Sequence, residues 1–311
     1  MIKVQKNRNL APLSTFKIGG QVKFFCEVGN DRELLEAIRA AKRLKAPYKI
    51  IAGGSNVVFP DKTLNCLLIK ISSKNIKAAG NKIIVDAGVP LSRVIAVANK
   101  NGLQGLETLA GIPGTVGGAI VGNAGAYGRS ISEVAEKVEV WNPSFAKATE
   151  GDGKKWLLNK ECQFQYRESV FKKKPWIALR AVLRFKKSNP KKLKRISRDI
   201  IQLRLKKYKP GLKCPGSFFK NVLIKDISKK SLAKIAKAKI IDGKIPAGYL
   251  LEEVGAKGMR VGGIQIADFH GNLFINSGKG KASEVKKLAK ILKNRVKKKF
   301  GITLQEEVRY F

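Results

Sequence analysis

Nine of the chain's thirty glycines fall between Gly102 and Gly128. A regular helix or strand does not carry glycine at that density without a large cost in conformational entropy. The segment therefore reads as loop in which bare backbone is exposed, and bare backbone is what a wide, flat ligand needs against it. Its central run is Gly111-Ile112-Pro113-Gly114-Thr115-Val116-Gly117-Gly118-Ala119, followed by Gly122-Asn123-Ala124-Gly125-Ala126-Tyr127-Gly128. The spacing is not the dinucleotide fingerprint of a doubly wound sheet.

On either side the pattern is mixed. Asp31 reads as the cap of a helix whose apolar face is Leu34, Leu35, Ile38 and Ala41. Strands are predicted over 48–52, 66–71 and 82–87, and a helix over 91–101 that Gly102 ends. Residues 134–140, 156–164 and 176–185 read as three strands of an antiparallel sheet. The segment 142–155, with its core Ser144 to Gly153, reads as an inserted hairpin loop between the first two. A boundary falls near Asn189-Pro190. The second part alternates helices (192–207, 231–236, 248–254, 283–300) with short strands (261–266, 273–276). In the last ten residues Ile302, Leu304, Val308 and Tyr310 share one face, and Thr303, Gln305, Glu307 and Arg309 the other.

Composition excludes several classes. With 44% hydrophobic residues the chain is a folded protein, and no stretch approaches the ~18 consecutive apolar residues of a membrane span. The first ten residues are basic and polar, without the apolar region of a signal peptide. Cys26, Cys66, Cys162 and Cys214 are far apart and lack metal-ligand spacing, so no metal site is expected. The formal charge is +40, which favours anionic partners. The lysines are spread along the chain, however, and lack the aromatic platforms of a nucleic-acid surface. The expectation is a cytoplasmic monomer with no nucleic-acid partner and no membrane insertion.

Three further segments offer chemistry. Gly53-Gly54-Ser55-Asn56 follows a predicted strand, where successive small residues let backbone amides close on phosphate oxygens. It lacks the lysine of a Walker loop. Tyr166-Arg167-Glu168-Ser169 puts an arginine where negative charge could be stabilised, and Gly216-Ser217-Phe218 puts a serine hydroxyl in a turn. Taken singly, these also read as a tight turn, a surface ion pair and a capping serine. A Ser-His-Asp hydrolase is disfavoured, since the nucleophile elbow is missing and His270 is the only histidine.

Taken in order, the segments Pro12 to Gly20, Gly53 to Asn56, Gly111 to Gly118, Tyr166 to Ser169, Gly216 to Asn221 and Glu307 to Arg309 resemble the UDP-N-acetylenolpyruvoylglucosamine reductase family. The similarity spans nearly the whole chain, in the subtype lacking an extra substrate-covering loop. It departs at Ala52, at Val222, at an extra residue near Lys209 and at the 144–153 insertion. The resemblance implies an α+β protein: an FAD-binding domain of the vanillyl-alcohol-oxidase/PCMH type over 1–188, then a smaller substrate-binding domain over 189–311 whose last strand returns to the active site. It implies FAD as cofactor, NADPH as hydride donor, and a UDP-sugar substrate reduced for peptidoglycan synthesis. It assigns catalysis to Arg167, Ser217 and Glu307. It assigns cofactor binding to Gly53, Gly54, Ser55, Asn56, Gly111, Pro113, Gly114, Thr115, Gly117, Gly118, Ala119 and Arg309. Substrate binding falls to Tyr166, Arg204, Lys207, Lys220, Asn221 and His270.

Overall fold

The computed structural model describes residues 2–142 and 153–311. The chain divides into two compact units. The first comprises Met1–Lys6, Phe24–Gly53 and Asn65–Lys206; the second comprises Asn7–Lys23, Gly54–Leu64 and Lys207–Phe311.

In the first unit the larger sheet has five strands in the order Lys154–Leu158, Ala135–Trp141, Ile177–Arg184, Lys82–Asp86 and Ile76–Ala79. Every neighbouring pair is antiparallel. The helices Leu91–Lys100 and Val116–Val121 bury Leu91, Val94, Ile95, Val116 and Ile120 in one core with Ile83, Val85, Val138, Val140, Ala181 and Leu183. The long helix Pro190–Lys207 joins this core through Ile200. Its Ser197 accepts from Asn99 Nδ2 at 2.8 Å and donates to the Glu107 carbonyl at 3.2 Å. A second layer has Tyr48–Ile51 parallel to Leu64–Ile71, with Gln21–Val28 on the far side of the latter. The helix Asp31–Arg43 packs Leu34, Ala37, Ile38 and Ala41 against Cys26, Leu67 and Ile69.

Two local expectations change. The cap of Asp31–Arg43 is Asn30, whose side chain accepts from the Glu33 amide. Asp31 instead pairs with Arg180 and Lys154 at 2.7 and 3.0 Å, so the carboxylate goes to charge partners and the amide-bearing neighbour caps. The predicted strand 156–164 stops at Leu158 and becomes a 3-10 turn over Asn159–Cys162. Asn159 Nδ2 reaches the carbonyls of Ser132 and Ala135, and the left-handed Gln163 (φ 47°) ends the turn. The 144–152 part of the insertion lies outside the described residues; at its base the Asn142 amide donates to the Gly153 carbonyl.

The second unit is built on the helix Ala282–Phe300, which buries Val285, Leu288, Ala289, Leu292, Val296 and Phe300 and ends at Gly301 in the left-handed region. A three-stranded antiparallel sheet (Arg260–Val261, Ile264–Ile266, Phe274–Asn276) and the helix Ala247–Glu252 complete the core. Phe16, Ile18 and Val58, from the two early excursions, are buried in it. Phe218 stacks on Phe274 with ring centroids 3.8 Å apart. Asp61 ties its excursion to the long helix by accepting from the Ala282 and Ser283 amides.

Buried Asn276 fastens the other excursion. Its Nδ2 donates to the carbonyls of Phe16 and Lys17 at 3.2 and 3.0 Å, and its Oδ1 accepts from Gly278 and Gly280, both at 3.1 Å. Asn276→Ala leaves those groups without their partner, and should destabilise the protein by about 3 kcal/mol. Urea unfolding followed by circular dichroism checks this; a change under about 1 kcal/mol would mean water substitutes freely for the amide.

Candidate active site

In the first unit the two glycine segments meet. A Cβ added at Gly53 would stand 2.9 Å from the Cα of Gly114, so the backbones approach as only glycine permits. The 111–119 run is held by its own backbone: Val116 donates to the Val89 carbonyl at 2.9 Å and Gly117 to that of Ala87 at 2.8 Å. Thr115 caps the short helix Val116–Val121, accepting from the Gly118 amide. Gly118 is exposed, and a Cβ there would meet nothing closer than 3.9 Å. Gly53 and Pro113 are exposed beside it, and Ala119 is buried. This is a rigid strip of bare backbone open on one side, and it fits a flat, phosphate-bearing group such as FAD. Gly111 (φ 77°) is exposed, and the Arg204 side chain lies against it, 3.1 Å from where a Cβ would be.

Arg167 sits in a tight turn. The Gln165 and Glu168 backbones exchange two hydrogen bonds of 3.0 Å, leaving Tyr166 and Arg167 at the tip. Arg167 has φ 56°, an uncommon conformation for a long side chain. The positive φ at the third residue makes this a type II turn. Two anchors hold it. Asn123 Nδ2 donates to the Gln165 carbonyl at 2.8 Å, and Ser169 Oγ donates to the Val121 carbonyl at 2.8 Å. The guanidinium itself donates to the Gly125 carbonyl at 2.8 Å, with the Tyr166 ring centroid 5.4 Å from its central carbon. The glycine-rich segment thus has a second task, orienting an arginine. Buried Asn123, also left-handed (φ 40°), was not singled out from sequence. Its place in a Gly-Asn-Ala-Gly run was the available signal, since asparagine tolerates that conformation.

In the second unit Gly54 (φ 62°) passes the Leu13 carbonyl so closely that any Cβ would overlap it. Thr15 clamps this region: its amide donates to Gly54 at 3.1 Å, and its hydroxyl to the Cys214 carbonyl at 2.7 Å. Ser55 is half-buried next in line. Asn56 reaches the end of the chain. Its Nδ2 donates to the Glu307 carbonyl at 3.1 Å and its carbonyl accepts from Arg309 at 3.1 Å. There the Arg309–Tyr310 strand runs parallel to Val57–Val58.

Ser217 begins an extended segment held on both sides. On one side it bridges Leu273, while Asn272 accepts from the Phe218 and Phe219 amides and donates back to the Phe219 carbonyl. On the other, the Glu307 amide donates to the Phe218 carbonyl at 2.8 Å and the Lys220 amide to that of Gln305 at 2.9 Å. Residues 217 and 307, far apart in sequence, are therefore on neighbouring backbones. Glu307 is half-buried and Arg309 exposed, and Ile302, Leu304 and Val308 are buried, as the alternation implied. Tyr208 Oη lies 3.1 Å from Ser217 Oγ.

The expected substrate residues of this unit are more scattered in role. Asn221 Oδ1 accepts from the Ala247 amide at 3.1 Å, at the start of a helix. Lys220 Nζ reaches Gln305 Oε1 at 3.5 Å. His270 is half-buried against Gly248, where a Cβ would be 2.7 Å from its ring, and its Nδ1 is 3.7 Å from Glu252 Oε1. Burial pushes the Glu252 carboxyl up, but hydrogen bonds from Lys257 and the Gly271 amide outweigh it and leave the group below its usual value. Lys207 is the last residue of the helix Pro190–Lys207. The four cysteines are free and buried; burial raises all four thiols, Cys26 to about 11 and Cys162 to about 12. No helix among the described residues is long and apolar enough to cross a membrane.

Comparison with known proteins agrees with this arrangement. Residues 22–144 match the profile of an FAD binding domain, and residues 207–311 that of the UDP-N-acetylenolpyruvoylglucosamine reductase C-terminal domain. A UDP-N-acetylenolpyruvoylglucosamine reductase of Solibacter usitatus is 39% identical over 99% of this chain and 96% of its own length. One of Caldanaerobacter subterraneus is 33% identical over 99% and 93%. The crystal structure of the reductase from Thermus caldophilus superposes with a TM-score of 0.76 at 28% identity, covering all of both chains. The expected fold class, an FAD-binding domain followed by an α+β domain, is the one observed, and the chain belongs to the UDP-N-acetylenolpyruvoylglucosamine reductase family of FAD-dependent oxidoreductases.

Proposed function

We propose that this chain reduces the enolpyruvyl ether of UDP-N-acetylenolpyruvoylglucosamine to UDP-N-acetylmuramate, with NADPH as hydride donor, for peptidoglycan precursor synthesis. It would do so as a cytoplasmic monomer, with residues 1–188 as the FAD-binding domain, joined at the cofactor by Arg309, and residues 189–311 as the substrate-binding domain, joined at the substrate by Tyr166. The observation that carries the reading is the fastening of Ser217 beside Glu307, with Asn56 bonded to the Glu307 carbonyl. It ties the loop expected at the cofactor to two residues expected in catalysis.

FAD, when bound, supplies hydride transfer between NADPH and the substrate carbon. The protein's residues supply placement and protons. The strip formed by Gly53, Gly111, Pro113, Gly114, Thr115, Gly117, Gly118 and Ala119, with Gly54, Ser55, Asn56 and Arg309, holds the cofactor. Tyr166, Arg204, Lys207, Lys220, Asn221 and His270 hold the substrate, whose diphosphate the lysines and Arg204 suit. Negative charge builds on the substrate carboxylate and the carbon beside it. Arg167 takes that carboxylate with its planar fork, and its anchored turn supports such a role because the guanidinium needs no reorganisation. Glu307 shares in orienting the carboxylate. Ser217 Oγ gives its proton to the carbon.

The purified protein should be yellow and should release FAD, not FMN, on denaturation. Its absorbance should bleach with NADPH and return on adding the enolpyruvyl substrate. A colourless protein that takes up no FAD on reconstitution would overturn the reading.

A further inference from the structure

An aliphatic hydroxyl is a weak acid, and once its proton has gone to carbon it is left as an alkoxide, a strong base. Some neighbour must make that loss possible. Lys213 and Lys220 are the charged residues nearest Ser217 in sequence, and the side chain that the structure sets within hydrogen-bond distance of the hydroxyl is a phenol. Tyr208 Oη and Ser217 Oγ are 3.1 Å apart, and either can donate. A phenol ordinarily ionises near 10, far below an alcohol, so a proton moves downhill from tyrosine to a serine alkoxide. The pair is held by a common support. The half-buried Tyr208 packs on the small cluster of Cys214, Ala267 and Leu273, and Leu273 is the residue that bridges to Ser217. Gly216, in the left-handed region (φ 86°), turns the chain between Cys214 and the serine. No motif marked Tyr208, which lies in the run Lys206-Lys207-Tyr208-Lys209.

We infer that Tyr208 is a positioning residue and proton relay for Ser217; the inference rests on Ser217 being the group that protonates the substrate carbon. In this step the Ser217 O–H bond breaks as the new C–H bond forms. The Tyr208 O–H bond breaks as a new Ser217 O–H bond forms. The tyrosinate takes a proton from solvent, so carbon, serine and tyrosine all end neutral and one solvent proton is consumed.

Tyr208→Phe removes only the hydroxyl. In the holoenzyme it should leave bleaching by NADPH unchanged and slow reoxidation by the enolpyruvyl substrate about 10- to 100-fold, less than loss of the acid itself. In mixtures of light and heavy water the reoxidation rate should fall along a curve in the unsubstituted protein, with two protons in flight, and along a line in Tyr208→Phe. A second measurement needs no turnover. In the Ser217→Cys protein, the rate of iodoacetamide alkylation against pH reports the ionisation of the thiol at 217, since the four native cysteines are buried. A phenol donating to the thiolate makes that thiol more acidic. Adding Tyr208→Phe should therefore raise its midpoint by about one pH unit, tenfold in ionisation constant. An unchanged midpoint with unchanged reoxidation would overturn the relay. So would an effect of Tyr208→Phe confined to KM, which would make the tyrosine a substrate contact. Fast reoxidation in Ser217→Ala would sink the Ser217 reading itself, whereas slow Ser217→Ala with normal Tyr208→Phe sinks the relay alone.

Discussion

Ser217→Ala should leave bleaching of the enzyme by NADPH near its normal rate and slow reoxidation by the enolpyruvyl substrate about 100- to 10,000-fold, the usual cost of losing a general acid. The two effects separate because oxidation of NADPH uses no proton from this hydroxyl. The substitution is mild for the fold. Ser217 is placed by backbone contacts, by the bridge to Leu273 and by the bonds of Phe218 and Phe219 to Asn272 and Glu307, and alanine keeps all of them. What is lost is the oxygen that faces Tyr208. Ser217→Cys should recover part of the rate, since a thiol also donates a proton. Stopped-flow absorbance follows both halves on one sample. Equal slowing of both would make Ser217 a structural residue. No slowing of either would mean that the proton comes from elsewhere.

Arg167→Lys should also spare reduction by NADPH, but cut the limiting rate of the substrate half about 100- to 1,000-fold, as removal of one preorganised donor at a developing anion does. The charge is kept, so the prediction concerns geometry. A guanidinium has five N–H donors in one plane. One of them is bonded to the Gly125 carbonyl, which fixes the plane in which the fork would meet a carboxylate. An ammonium on a flexible stem cannot do both at the same spacing. The backbone should tolerate the change, because lysine meets the same positive φ as arginine and the Asn123 and Ser169 anchors do not involve the side chain. The measurement is the substrate-saturated reoxidation rate beside the thermal midpoint. A lysine variant with an unaltered rate would show that charge alone suffices. A collapsed midpoint would show that the guanidinium bond to Gly125 holds the turn together.

Much of the local structure was legible in the sequence because its causes are local. The stripe Leu34, Ile38 and Ala41 and the alternation of Ile302 to Tyr310 are periodicities that a buried face imposes on neighbouring residues. Gly102, Gly111 and Gly114 all have positive φ, which few other residues adopt without strain. The misread features were decided by competition. Asn30 and Asp31 are both good caps, and the pairing of Asp31 with Arg180, 149 residues away, decided between them. The strand after Leu158 ended because the Asn159 side chain found the carbonyls of Ser132 and Ala135. Nothing within 156–164 announces either partner.

The candidate site divides in the same way. Its residue types and their order, from Gly53 through Arg167 and Ser217 to Glu307, were readable from the chain alone and pointed to the family. Their placement was not. That Asn56 fastens the carbonyl of Glu307, that Asn123 anchors the Arg167 turn, and that Tyr208 faces Ser217 are contacts of side chains with groups nine to 251 residues away. That Phe16 and Ile18 are buried with Val58 and Phe274 is likewise a matter of the second unit's core. Sequence alone determined which backbone conformations and which chemical groups this protein has, because those depend on each residue and its neighbours. The tertiary structure decided which group meets which, because a hydrogen bond depends on distance in space, and loop closure brings distant residues together at little extra cost as the loop lengthens.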